Sequence, residues 1–365
     1  MAYYEFSLLD ILPYFYVLIF LVYLTYNKKI IGREILMFWI LFIFSAIRYG
    51  IGYDYFNYCN IIENGGNLEP LSNLFIECAR FLSCNQVFFI LNSFCVIFPI
   101  YYVSKYNSLD PCLSMLTYYL FPILFLESLG IVRNASAYSA IFLSYHFLVR
   151  RNYLVSIICI VGAGLFHDSG YIGFILLIVY LVPMNRKVCI GLFCIAFISS
   201  DYIATFIQDF EYDEKSVLLL KMLSYIERSE QQGQFMKYII ILLNILNLFY
   251  WNKLRQGNRE YENLLKLVNC GACIWVLFSF DRTLSLRLSS YFLIFQILLM
   301  PLYYLNFNIK YRKCLRFLII FFFSVYFSSG FIINIHNYKI PAKMNYIPYQ
   351  TIFYHEKYIN YKAAN

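Results

Sequence analysis

Four arginines lie near the ends of apolar segments in this 365-residue sequence: Arg48, Arg133, Arg282 and Arg287. A guanidinium group stays charged at physiological pH, and its paired N–H donors match the oxygens of a phosphate. A single arginine at such a position ordinarily extends its charged end to the lipid headgroups. Four of them at one interface predict instead a site that binds a diphosphate.

The first of these arginines begins the stretch 48-RYGIGYDYFNY-58. Gly50 and Gly52 permit a tight turn and a close approach of the backbone to a ligand, or they simply end the preceding helix. For Asp54 three roles are open: an ion pair with a neighbouring arginine, a hydrogen bond to a sugar hydroxyl, or a general base.

Four tyrosines belong to the same stretch, and three of them follow Gly52: Tyr53, Tyr55 and Tyr58. At a membrane interface the ring is buried while the hydroxyl finds a hydrogen-bond partner, and such rings serve equally well to stack on sugars. We therefore predict that Tyr55 and Tyr58, with Gly50 and Gly52, contact the substrate.

His167 ends an apolar segment in 163-AGLFHDSGYIGF-174. A lone histidine near a membrane span is often only a hydrogen-bond partner of a neighbouring helix. Its unperturbed pKa near 6.5 nevertheless makes it the residue of this group best able to take a proton near neutral pH. Since no second histidine lies at ligand spacing, we predict no metal site.

The composition places these residues in a membrane protein. Of all residues 61% are hydrophobic and 14% are charged, and the mean hydropathy is +0.61, whereas soluble domains carry about 25% charged residues. The net charge of +8 is explained by basic cytoplasmic loops. No long basic run or separate soluble domain indicates binding of nucleic acid.

Apolar windows predict an all-α polytopic membrane protein with about 12 transmembrane helices. Lysines and arginines concentrate on alternate loops, so the positive-inside rule places both termini, and the motif residues, on the side of the membrane away from the cytoplasm. The predicted spans are 8–26, 34–47, 85–104, 112–129, 134–149, 153–166, 169–183, 188–207, 235–252, 264–280, 288–306 and 317–334.

The sequence predicts one integral membrane domain over residues 1–365. Residues 48–84 form its periplasmic motif loop, in which helical spacing of apolar residues over 71–83 predicts an amphipathic helix at the interface. A second periplasmic loop is predicted over 208–234, and a periplasmic tail over 335–365.

The ordered motifs resemble those of EpsG-like, Wzy-type polysaccharide polymerases. The pattern Arg48-x-Gly50-x-Gly52-x-Asp54-Tyr55-x-x-Tyr58 is similar to the family signature. Asn134 departs from the family, which often has glutamine after the arginine, and loop 208–234 aligns with no motif. Further similarity lies in Glu69-Pro70, 131-IVRNASAYSAIFL-143, 166-FHDS-169, Arg287 with 289-SSYF-292, and Pro348-Tyr349.

The resemblance implies a GT-C-like glycosyltransferase of the bacterial inner membrane. Its substrates would be undecaprenyl-diphosphate-linked oligosaccharides, and it would move the growing glycan onto the non-reducing end of the next lipid-linked unit. The product would be O-antigen or a related polysaccharide of lipopolysaccharide or capsule biosynthesis. A separate chain-length regulator is the expected protein partner, beside membrane lipid.

For this chemistry the four arginines would stabilise the leaving diphosphate, and His167, or as second choice Asp54, would act as general base. No cofactor is expected, because the glycosyl–phosphate bond of the donor already supplies the energy. Two alternatives remain open. One is an O-antigen ligase or another polyprenyl-phosphate-dependent glycosyltransferase, and the other is a lipid-linked oligosaccharide flippase.

Overall fold

The computed structural model describes residues 8–209, 234–337 and 346–354. Within these ranges the chain forms seventeen α-helices and three short 3-10 helices, and its only β-structure is a pair of isolated bridges. The predicted all-α fold is therefore confirmed for this part of the chain. The predicted loop 208–234 and the predicted tail 335–365 lie largely outside the described residues.

The chain divides into two compact units. Unit 1 comprises Met1–Tyr171 and Asn308–Asn365, and unit 2 comprises Ile172–Phe307. The prediction of a single membrane domain stays a prediction.

Unit 1 contains the first nine helices and the last. The first nine are α1 Leu12–Tyr26, α2 Arg33–Ala46, α3 Tyr55–Asn64, α4 Pro70–Phe81, α5 Gln86–Asn107, α6 Pro111–Leu120, α7 Phe125–Gly130, α8 Val132–Val149 and α9 Tyr153–Phe166. Unit 2 contains α10 Phe174–Leu181, α11 Arg186–Asp209, α12 Gln234–Phe249, α13 Trp251–Arg255, α14 Arg259–Leu277, α15 Arg282–Leu293 and α16 Gln296–Leu305. Helix α17, Arg312–Asn337, returns to unit 1.

Helix α8 is the centre of unit 1, where it packs against α5 and α9. Small side chains along α8 let the neighbouring backbones approach closely. Two of them also bond across the interfaces. Ser136 Oγ donates to Asn92 Oδ1 of α5 at 3.0 Å, and Ser144 Oγ lies 2.9 Å from Ser156 Oγ of α9.

The predicted span 112–129 is not one helix. It divides into α6 and α7, with an irregular turn over residues 121–124. Pro122 lies in this turn and has no N–H to donate to a continuous helix. Its carbonyl instead accepts a hydrogen bond from the Glu127 N–H at 3.1 Å, at the start of α7.

Residues 346–354, here called the C-terminal segment, return to the motif loop in unit 1. The Tyr49 N–H donates to the Gln350 carbonyl at 2.9 Å, and the Ile352 N–H donates to the Ile47 carbonyl at 3.0 Å. These backbone bonds join the C-terminal segment to the residues that leave α2.

Side chains strengthen this connection. The Tyr349 hydroxyl donates to the Phe44 carbonyl of α2 at 2.6 Å, and its ring stacks on Phe44 with centroids 4.0 Å apart. The Tyr14 hydroxyl of α1 donates to the Tyr346 carbonyl, also at 2.6 Å. The C-terminal segment is thus an integral part of unit 1.

Within unit 2, α14 packs against α10, α11, α12, α13, α15 and α16. Gly271 of α14 allows a close approach, because an added Cβ would lie 2.9 Å from the backbone nitrogen of Leu293. Buried amides bond to one another in this core, as Asn247 Nδ2 does to Gln296 Oε1 at 2.8 Å. Cys270 and Cys273 are both free thiols on α14.

By length and apolar composition, two helical segments of the described chain are able to cross a membrane: Gln86–Asn107 and Ile309–Phe331. A third is added if Arg282–Leu293 and Gln296–Leu305, which meet at 54°, form one bent span. Shorter apolar helices occupy other predicted spans. The count of twelve spans and the periplasmic termini stay predictions.

Candidate active site

The first part of the motif loop, residues 48–54, joins α2 to α3 and packs on the end of α7. Gly50 and Gly52 have φ values of +66° and +98°, a backbone region that glycine adopts without strain. A Cβ on Gly52 would collide with the Leu129 carbonyl and lie 2.7 Å from the Gly130 Cα. The loop therefore requires glycine at position 52 in order to pack against the residues that precede α8.

Arg48 lies inside the helices and only 1% of it is exposed. Its Nη1 donates to the Ser45 carbonyl and to Ser93 Oγ at 3.1 Å, and the guanidinium lies over the Phe89 ring. Burial lowers the pKa of Arg48 to about 10, so the group stays cationic at neutral pH. The structure gives Arg48 a part in joining α2 to α5, and its contact with a diphosphate stays a prediction.

Tyr55 and Tyr58 are also buried, each 3% exposed. The Tyr55 ring stacks on Phe89 at 4.2 Å, and its hydroxyl donates to Gln86 Oε1 at 3.1 Å. The Tyr58 ring packs against Phe88. Burial gives both rings a packing role, and their contact with a substrate stays a prediction.

Tyr58 has a second role as a partner of Arg133. Arg133 lies in the first turn of α8, and its Nε donates to the Tyr58 hydroxyl at 3.1 Å. Its Nη1 forms an ion pair with Glu69, the residue before α4. The Arg133 and Glu69 side chains are 25% and 13% exposed. Two of the three guanidinium nitrogens are thus held by α3 and by the start of α4.

His167 follows α9 and is connected to α8 through Ser169. Its Nδ1 lies 2.7 Å from Ser169 Oγ, and Ser169 Oγ donates to Asn134 Oδ1 at 3.2 Å. The Ser169 N–H also approaches Nδ1, at 3.2 Å. Because Asn134 is the residue after Arg133, the bonded chain ends in the same turn of α8 that carries the arginine.

Asp54 occupies the position before α3 but makes no capping bond with its side chain. Its Oδ1 accepts from Asn57 Nδ2 at 3.4 Å. Among the described residues its carboxylate forms no ion pair. The interpretation of Asp54 as an arginine partner is therefore unsupported by this structure, and its role as a base stays a prediction.

Unit 1 thus brings three sequence motifs to the N-terminal end of α8. The motif loop packs on the residues just before the helix. Arg133 lies in the first turn and is bonded to Tyr58. His167 is connected to the same turn through Ser169 and Asn134. Ser72 of α4 adds a contact, since its Oγ donates to the Phe166 carbonyl at 2.9 Å. The first turn of α8 thus carries the Arg133 cation, and its next residue, Asn134, is connected through Ser169 to the imidazole of His167.

The remaining two arginines belong to unit 2. Arg282 begins α15, where its Nη2 lies 4.0 Å from Met236 Sδ, and Arg287 lies one turn further along. Asp281 caps the helix by accepting from the Leu284 N–H at 2.6 Å. Burial raises the pKa of Asp281, while its backbone hydrogen bonds and the charge of Arg287 oppose that shift. Convergence of all four arginines on one diphosphate stays a prediction.

The family model of EpsG matches residues 34–351, from the start of α2 into the C-terminal segment. The chain belongs to the EpsG family. Members of this family are Wzy-like polymerases, which indicates a polysaccharide polymerase-type function for this membrane-embedded chain. No curated protein and no solved structure is significantly similar to it.

For some residues of this candidate site the sequence predicts no individual role. The sequence marks Glu69 only as part of the Glu69-Pro70 motif, although it forms the ion pair with Arg133. Gln86 of α5 carried no signal at all, yet its Nε2 donates to the Ala46 carbonyl and to the Arg48 carbonyl, the latter at 3.1 Å. Ser169 lies within the matched Phe-His-x-Ser segment, which was the available signal for its bond to His167.

Proposed function

We propose that this EpsG-family protein polymerises undecaprenyl-diphosphate-linked oligosaccharide repeat units at the periplasmic face of the bacterial inner membrane. The growing glycan leaves its lipid diphosphate and is joined to the non-reducing end of the next lipid-linked unit. The observation that supports this best is the placement of Arg133 and the His167–Ser169–Asn134 chain in one turn of α8.

Arg133 suits the leaving diphosphate on electrostatic grounds. A cation in the first turn of a helix is repelled by the positive end of the helix dipole, and a nearby anion offsets this repulsion. Glu69 supplies one in this structure. Bonds to Glu69 and Tyr58 occupy Nη1 and Nε, and N–H donors of the same guanidinium remain to bind phosphate oxygens. The helix N-terminus adds to the attraction for phosphate.

His167 suits removal of the proton from the attacking sugar hydroxyl. When Ser169 Oγ donates to Asn134, it is able to accept the Nδ1 proton of His167 across the 2.7 Å contact. In that tautomer Nε2 carries the lone pair and is the atom that takes the proton. The Ser169 N–H, at 3.2 Å from Nδ1, favours the other tautomer, so the two contacts from Ser169 determine which ring nitrogen of His167 is the base.

The balance of the reaction follows from these roles. The acceptor hydroxyl oxygen forms the new glycosidic bond to the anomeric carbon, while the bond from that carbon to the phosphate oxygen breaks. His167 takes the hydroxyl proton, and the undecaprenyl diphosphate leaves with the electron pair, stabilised by Arg133.

The test is deletion of the gene in its host, followed by electrophoresis of the surface polysaccharide. Loss of the long-chain ladder, with single repeat units still attached to lipid A, supports a polymerase. Complete loss of surface glycan indicates a flippase or a ligase instead. Complementation with Arg133→Ala, His167→Ala or Ser169→Ala should fail to restore the ladder at normal protein level.

A matched control for the arginine is Arg151→Ala. Arg151 is exposed just beyond the other end of α8, so this variant should restore a normal ladder. A normal ladder from Arg133→Ala or His167→Ala would remove that residue from the proposed site.

A further inference from the structure

One face of α3 and the turn before it carries a row of exposed polar side chains: Tyr53, Asn57, Asn60 and Asn64. The spacing is i, i+4, i+7 and i+11, which returns to the same side of a helix at each step. Tyr53 lies two residues before the start of α3, and 40% of it is exposed. This row is here called the asparagine face.

The opposite side of α3 does the packing. Tyr55, Tyr58 and Ile62 are buried in a cluster with residues of α4, α5 and α8. None of the asparagines belongs to that cluster, and within the described part of the chain their side-chain amides bond along the helix. Asn64 Nδ2 donates to Asn60 Oδ1, and Asn57 Nδ2 donates to Asp54 at 3.4 Å.

Asparagine is a poor choice for a helix face that only meets water. Its short amide competes for backbone hydrogen bonds, and it ranks well below glutamate, lysine or glutamine as a helix former. Helix α3 has only 10 residues, a length at which an isolated helix is marginal. Three asparagines on this short helix therefore weaken it without any packing in return.

The charge of the helix narrows the choice of ligand. Within α3 Glu63 is the single charged residue, and there is no lysine or arginine. A face that binds anionic headgroups carries basic residues. Neutral amides beside an exposed aromatic ring offer instead donors, acceptors and a stacking surface, which is the set that a polyhydroxylated, uncharged ring requires.

We propose that the asparagine face binds the sugars of the lipid-linked oligosaccharide next to its diphosphate. This inference rests on the proposed function and assigns the glycan to the exposed side of α3, where the buried Tyr55 and Tyr58 are out of its reach. The face begins next to the N-terminal end of α8, because a Cβ added to Gly130, three residues before Arg133, would lie 3.6 Å from Tyr53 Cδ2. A sugar attached to a diphosphate at Arg133 therefore starts near the Tyr53 end of the asparagine face. The helix is about 15 Å long at 1.5 Å per residue, enough to contact several successive sugars.

The test is the triple variant Asn57→Ala, Asn60→Ala and Asn64→Ala in the full chain. Alanine is the better helix former, so α3 is retained and its stability should rise. The purified protein in nanodiscs is titrated with two probes. One is undecaprenyl diphosphate, and the other is the glycosylated lipid that accumulates in the deletion strain.

We expect the triple variant to bind the glycosylated lipid at least tenfold more weakly and to bind undecaprenyl diphosphate as the wild type does. The control Glu63→Ala changes another side of the same helix and should behave as wild type with both lipids. Equal binding of the glycosylated lipid by the triple variant and the wild type overturns the inference. If the wild-type protein binds neither lipid, the proposed function is overturned as well. This outcome is distinct from equal binding of the glycosylated lipid by the triple variant and the wild type.

Discussion

Replacing Glu69 distinguishes a carboxylate that positions Arg133 from one that competes with the substrate for it. The Arg133 and Glu69 side chains are 25% and 13% exposed, so the pair is largely shielded from water. In Glu69→Gln an acceptor oxygen remains but the charge is lost. In Glu69→Ala the acceptor is lost too, and Arg133 keeps only its bond to the Tyr58 hydroxyl at 3.1 Å.

The magnitudes follow from the kind of bond that is removed. A hydrogen bond to a charged group contributes about 1.5–3 kcal/mol and a neutral one about 1 kcal/mol. If the carboxylate positions Arg133, Glu69→Gln should cost about 1 kcal/mol of transition-state stabilisation, roughly fivefold in rate. Glu69→Ala should cost about 2–3 kcal/mol, roughly 30- to 150-fold.

The assay is the rate of polymerisation in membrane vesicles, together with binding of undecaprenyl diphosphate in nanodiscs. If Glu69 positions Arg133, the polymerisation rate and the affinity for undecaprenyl diphosphate should both fall in the order wild type, Glu69→Gln, Glu69→Ala. Tighter binding of the lipid by Glu69→Gln than by the wild type would refute this reasoning, because it would mean that the carboxylate holds Arg133 away from the phosphate.

The control is Glu77→Gln, which alters the ion pair with Arg80 on α4. Those side chains are 55% and 30% exposed, and such surface pairs contribute about 0–1 kcal/mol. This variant should be indistinguishable from the wild type in both assays.

Three further predictions concern stability. Gly52→Ala should lower the free energy of unfolding by at least about 2 kcal/mol, since its Cβ collides with the Leu129 carbonyl at φ +98°; an unchanged unfolding temperature would contradict this. Tyr349→Phe keeps the ring on Phe44 but loses the 2.6 Å bond, and a chemical denaturation series should show a cost of about 1 kcal/mol. The pKa of Asp281 is raised, so its contribution to stability is present at low pH and is lost as pH rises above the ordinary value near 3.8. Asp281→Asn, which still caps the helix, should therefore match the wild type at low pH and equal or exceed its stability at neutral pH, whereas Asp281→Ala should lose about 1 kcal/mol with the cap.

Helices with clear end signals could be predicted from the sequence. Tyr153–Phe166 begins and ends at the predicted residues, and Asn152 caps its start by accepting from the Val155 N–H. Helix α3 was missed, although Tyr55, Tyr58 and Ile62 are spaced for one buried face. Its many tyrosines and asparagines concealed this period, since both residue types are also common in loops.

Parts of the candidate site depend on contacts that no local pattern encodes. Glu69 and Arg133 are 64 residues apart, and only the packing of α4 against its neighbours brings them together. The burial of Arg48 could not be predicted from the sequence either. An arginine after an apolar segment has the same sequence pattern whether it faces lipid headgroups or a serine of α5. The motifs identified Arg133 and His167, but the partners that orient them required the fold.

The return of the C-terminal segment to the motif loop has a consequence for biosynthesis. Tyr349 and Phe44 are separated by 305 positions, and the ribosome makes all of unit 2 between them. The backbone hydrogen bonds between Tyr49 and Gln350 and between Ile352 and Ile47 form only after the C-terminal segment has been synthesised. A nascent chain inserted up to α16 therefore lacks the finished motif loop, and maturation of that loop must follow release of the C-terminal segment from the ribosome.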